Sequence, residues 1–94
     1  MKKLCIDVKP LSFTYPGLIY DTDTKSYETI SITTGEPSRI ADYALEHDID
    51  CIELYGNRLF NSNIKMKLER ELNRQIVAYE NKAQIPVEIK GVMK

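Results

Sequence analysis

The stretch DIDCIELYGNRLFNSN, residues 48–63, decides how this chain is read. CIELY is a compact apolar run of strand length, as expected of a strand covered on both faces. It holds one carboxylate, Glu53, and breaks at Gly56 into a polar segment rich in helix-capping residues. A charge near the end of a buried strand is costly unless something engages it, so Glu53 needs a partner or a task. Near the start of the chain, KLCIDVKP repeats the arrangement with Asp7. In both segments the acid follows an isoleucine and stands two residues after a cysteine, on the cysteine's strand face.

Working outward, Lys3 to Val8 reads as a first strand, with Leu4, Ile6 and Val8 on one face and Cys5 and Asp7 on the other. Pro10 ends regular pairing. In SFTYPGLIYD the Pro16-Gly17 pair suggests a turn or bulge, with Gly17 to Tyr20 as the firmer strand. DTDTKS is a hairpin connection, and YETISIT sets Tyr27, Thr29 and Ser31 against Glu28, Ile30 and Ile32. The period then changes. In GEPSRIADYALEHD, Ile40, Ala41, Ala44 and Leu45 recur at helical spacing, after Gly35, Glu36 and Pro37. Beyond CIELY, Asn61, Ser62 and Asn63 are candidate N-caps for a long helix from about Asn63 to Gln84. Its stripe is Ile64, Leu68, Leu72, Ile76, Tyr79 and Ala83, with Lys65, Lys67, Arg70 and Arg74 largely off it. Pro86 ends it, and VEIKGVM is a closing strand. The order is β-β-β-α-β-α-β, an α/β fold with a mixed sheet.

The chain has 94 residues, 43% hydrophobic and 29% charged, which is one small globular domain spanning 1–94 with its own core. No apolar stretch approaches the roughly 20 residues of a membrane helix, and Asp7 interrupts the N-terminal patch that would serve as a signal-peptide core. The expected location is cytoplasmic, with Cys5 and Cys51 as free thiols. Their spacing fits no zinc site, and His47 is the single histidine. Net charge is −1, divided unevenly: residues 1–55 carry five Lys/Arg against ten Asp/Glu, and residues 56–94 carry eight against four. The second half is either a solvated helix surface or a face for a polyanion or an acidic partner.

The element order, together with CID, YPGLIYD, IDCIELYGNRLFNSN and IPVEIKGVMK, resembles the ribonuclease H-like fold, and within it the first part of a RuvC-type Holliday-junction resolvase. The resemblance implies that the fourth strand lies beside and parallel to the first, with Asp7 and Glu53 near their C-terminal ends as catalytic and metal-binding acids. It also implies Mg²⁺ or Mn²⁺ as cofactor and DNA or RNA as partner. Two such ions activate a water and stabilise the leaving oxygen of a phosphodiester, and hard cations require several carboxylates. The family takes further acids from a helix after the fifth strand, which lies beyond Lys94, and Val8 stands where it has a small residue after the first acid. Nuclease activity of the isolated chain is therefore not expected.

Each feature also has a plainer reading. Asp7 could end a strand by accepting a loop hydrogen bond, and Glu53 could pair with Arg58 or a helix lysine. The segment YGNRLFNSN could position a phosphate or merely cap a helix. Tyr15 and Tyr55, near strand ends, are the tyrosines placed to stack on a base. Two functions follow. One is a small RuvC-like domain that binds nucleic acid through Arg58, Lys65, Arg70 and Arg74 and divalent metal through Asp7 and Glu53. The other is a non-catalytic protein-interaction module of a phage or other mobile element, docking on a protein partner or forming a homodimer.

Overall fold

The computed structural model of the chain describes residues 1–8, 14–33, 37–78 and 85–91. Seven elements follow in order: β1 (Lys2–Val8), β2 (Thr14–Asp21), β3 (Ser26–Thr33), α1 (Pro37–Glu46), β4 (Cys51–Gly56), α2 (Arg58–Ala78) and β5 (Val87–Ile89). They form one five-stranded sheet in the order β3-β2-β1-β4-β5. β2 pairs antiparallel with both β1 and β3, while β4 pairs parallel with both β1 and β5. The α/β class, the element order and the placing of β4 beside β1 agree with the sequence reading.

The strand directions dictate where the helices go. β3 and β4 point the same way, as do β4 and β5, and both crossovers move in the same direction across the sheet. Right-handed crossovers of that kind put α1 and α2 on one face. That face receives the alternating apolar set of the strands: Leu4, Ile6, Val8, Ile32, Ile52, Leu54 and Val87 are all buried. Ile40, Ala41, Ala44 and Leu45 of α1 and Ile64, Leu68 and Leu72 of α2 complete the same core. Each fully buried aliphatic side chain contributes about 1.5–3 kcal/mol, so this one layer carries most of the stabilisation.

The opposite face differs from the expectation for β4. Among the described residues no helix covers it, so β4 is sheltered by elements on one side only. Cys51 and Glu53 are nevertheless buried, Glu53 among Cys5, Tyr55 and Lys90. Pro16 and Gly17 do not break β2 either: its pairing with β1 and β3 runs through both without a slip. Glycine is required there because a Cβ at position 17 would stand 2.6 Å from the Cys5 carbonyl oxygen.

The start of α2 also needs correcting. It begins at Arg58, and the N-cap is Asn57, whose Oδ1 accepts the Phe60 backbone N–H at 3.0 Å. The expected caps lie within the helix: Asn61 is buried, and the Ser62 hydroxyl donates back to the Arg58 carbonyl at 2.9 Å. Leu59 and Phe60 face solvent, so the first turn shows no amphipathic pattern in sequence. The stripe Ile64, Leu68, Leu72 packs inward as expected. The readings of Pro10, Gly35, Glu36, Tyr79 and Ala83 fall outside the described residues, as does the end of the long helix at Gln84. No helix among the described residues is long and apolar enough to cross a membrane.

Candidate functional site

The register of β1 on β4 sets Cys5 opposite Glu53 and Asp7 opposite Tyr55. Asp7 and Glu53 therefore share the open face of adjacent parallel strands. They are offset by two residues, which is about 7 Å along the strand. Asp7 is the penultimate residue of β1 and half-buried.

Glu53 is held on both oxygens. Oε1 accepts from the Cys5 thiol at 3.3 Å and from the Tyr55 hydroxyl at 3.1 Å. Oε2 lies 3.6 Å from the Lys90 ammonium, which also stands 3.1 Å from Glu88. The electrostatics record this arrangement. Burial first, then the hydrogen bond to Glu53, pushes the Cys5 thiol up to about 12. Burial and then the Glu53 charge push the Tyr55 phenol up to about 12. Lys90 is raised by its hydrogen bond to Glu88, by the Glu88 charge, and then by Glu53. Of the plainer readings of Glu53, pairing with a cation is the one realised, although the cation is Lys90 rather than Arg58 or a helix lysine.

A two-ion centre needs several carboxylates with free lone pairs. Among the described residues no three of His, Cys, Asp and Glu gather to hold a metal. Because Glu53 is already compensated by Lys90, the pair as it stands does not fit two divalent ions.

Asp7 lies at a point where the chain leaves the sheet in two directions. The chain leaves β1 toward β2 on one side and leaves β4 through α2 toward β5 on the other, and such switch points are where open α/β sheets bind ligands. Gly56 makes the turn possible: its φ is +117°, and a Cβ there would stand 2.7 Å from the Val8 carbonyl oxygen. Just beyond it, Asn61 is fully buried, and neither its Oδ1 nor its Nδ2 is hydrogen-bonded among the described residues.

The four cationic residues expected to meet nucleic acid all lie on α2 but do not form one row. At 100° per residue they spread over about half of the helix circumference. Arg58 and Lys65 flank the buried stripe, while Arg70 and Arg74 point outward. Lys65 and Arg70 line a shallow groove with Ser62, Met66, Glu69 and Asn73. Arg74 pairs with Glu71 at 2.8 Å. Tyr15 is buried on the helix-covered face and cannot stack on a base, and Tyr55 is engaged by Glu53. Lys90 and Cys5 were missed as partners of Glu53. The matching Cys-Ile-acid order of β1 and β4 was the signal for Cys5, since it puts the cysteine of one strand within reach of the other's acid.

No protein-family model matches the chain, and no curated protein does. Among solved structures it is similar to PH0822, known from a crystal structure. That similarity has 13% identity and a TM-score of 0.52, covering 95% of this chain and 78% of that one. At that identity the likeness speaks to the fold alone.

Proposed function

We propose that the chain is a small ribonuclease H-like, RuvC-like domain that associates with DNA or RNA and lacks nuclease activity on its own. The observation that carries this reading is the sheet order β3-β2-β1-β4-β5, with β4 parallel to β1 and an acid on the same face of each. The switch point at the ends of β1 and β4, flanked by the N-terminus of α2, suits a phosphodiester backbone. The cations of α2 add sequence-indifferent phosphate contacts. Mg²⁺ or Mn²⁺ enters the proposal as a single ion at Asp7 and Glu53, in competition with Lys90, and no cleavage step is derived through it.

A second reading, a protein-interaction module of a phage or other mobile element, is favoured by a sheet face that no helix covers and a β3 edge that no strand pairs, among the described residues. One experiment separates the two. The chain is incubated with labelled four-way-junction, duplex and single-stranded DNA, with and without Mn²⁺. Binding without cutting is the expected result. Mn²⁺-dependent cutting that Asp7→Asn abolishes would refute the lack of nuclease activity, and no binding at the lowest salt would favour the interaction module.

A further inference from the structure

β3 is an edge strand eight residues long. Natural edges are blunted by charged side chains, prolines or bulges, or are covered. SYETISIT has no lysine and no proline, and its pairing with β2 shows no bulge. Glu28 is its one charge, while Ile30 is half-buried at the margin of the core. With a single charge, and with no strand beside it among the described residues, β3 leaves its outer backbone groups available to a further strand.

The helix beside it offers a second observation. Arg39, Asp42, Tyr43 and Glu46 follow i, i+3, i+4, i+7 spacing and so occupy one face of α1. Together with Ser31 and Ile32 of β3 they line a groove of roughly 300 Å³. The positive charge stands at one end of this face and a carboxylate at the other, about 10 Å apart along the axis. None of the ion pairs among the described residues engages either Arg39 or Glu46. Such a face is its own complement. Run antiparallel to a second copy, it sets Arg39 against Glu46 of that copy, Tyr43 against Asp42, and the reverse.

We infer that a second copy of this chain covers the β3 edge, joining the two sheets into one of ten strands about a two-fold axis, with Arg39 and Glu46 paired reciprocally between the two α1 helices. The two observations agree in symmetry. Antiparallel pairing of β3 with itself requires a two-fold axis through the edge, and that axis also makes the α1 helices antiparallel. Tyr43 lines the groove with Ser31 and Ile32, so this face of α1 stands beside the β3 edge. A register centred on Thr29 sets Tyr27 against Ser31 on the open face and keeps the two Glu28 side chains from lying opposite each other. This inference is independent of nucleic-acid binding.

Sedimentation equilibrium of the full chain across the micromolar range tests it. A reversible dimer is expected. Arg39→Glu alone and Glu46→Arg alone should each weaken it by about tenfold or more, because each places two like-charge contacts in the interface. The double variant Arg39→Glu/Glu46→Arg should recover the dimer, since the pairing is restored with reversed sign. Both side chains are exposed, so circular dichroism should show the fold unchanged in all three variants. A chain that stays monomeric throughout the range overturns the proposal. A dimer indifferent to the single reversals, or one that the double variant does not restore, overturns it as well.

Discussion

Lys90 stands 3.6 Å from Oε2 of Glu53, so a buried carboxylate on β4 is compensated by an ammonium just beyond β5. That cation already neutralises the charge of Glu53 that a divalent ion would otherwise engage. Lys90→Met should therefore do two things. It should lower the thermal midpoint, because Glu53 keeps its burial and loses its counter-charge, and Glu53→Gln in the same chain should restore part of the loss. It should also let Mn²⁺ broaden the amide signals of Asp7 and Glu53 at lower concentration than in the unaltered chain.

The donors around Glu53 make stability sensitive to alkali. The Cys5 thiol rises from an ordinary 9.0, and the Tyr55 phenol from 10.0, each to about 12. The folded chain holds both protons in a range where the unfolded chain has released them. Stability from these groups is complete below about pH 9 and is lost as the pH rises toward 12. Urea midpoints measured from pH 7 to 11 should be level at first and then fall, with a shallower fall in Cys5→Ala. For the same reason Cys5 should resist alkylation at pH 8 in the folded chain and react in urea.

Asn61 takes a place in the inward stripe of α2, and neither of its polar side-chain atoms has a partner among the described residues. A leucine of similar size would remove the unmet hydrogen-bonding demand and extend the stripe through Ile64 and Leu68. Asn61→Leu should raise unfolding stability by about 1–2 kcal/mol with an unchanged m-value in urea. A lower midpoint would show that Asn61 has a partner, such as a buried water, that the leucine displaces.

The parts of the fold legible in the sequence were those governed by periodicity. Leu4, Ile6 and Val8 alternate, and Ile64, Leu68 and Leu72 recur, because one face of each element meets one core. The helix start was illegible because exposed Leu59 and Phe60 mimic neither a cap nor an amphipathic turn, while three capping residues follow them. Pro16-Gly17 reads as punctuation, yet Gly17 is there for close strand approach within an unbroken β2. The same-face placement of Asp7 and Glu53 followed from matched Cys-Ile-acid runs. The Lys90 contact did not, because it arises from the register of β5 on β4, and no local pattern encodes that register.

Nucleic-acid association is the central claim, and fluorescence anisotropy of a labelled DNA junction titrated with the chain at several salt concentrations tests it most directly. Arg70 and Arg74 are exposed on the outward side of α2, and the surface pair of Arg74 with Glu71 is too weak to withhold it from a phosphate. Binding should fall steeply as salt rises, with little dependence on DNA sequence. Neutralising Arg70 and Arg74 together should weaken it and flatten the log–log salt slope by about 2, with the fold intact. Absence of binding at the lowest salt, or a salt slope that the double substitution leaves unchanged, would contradict the account.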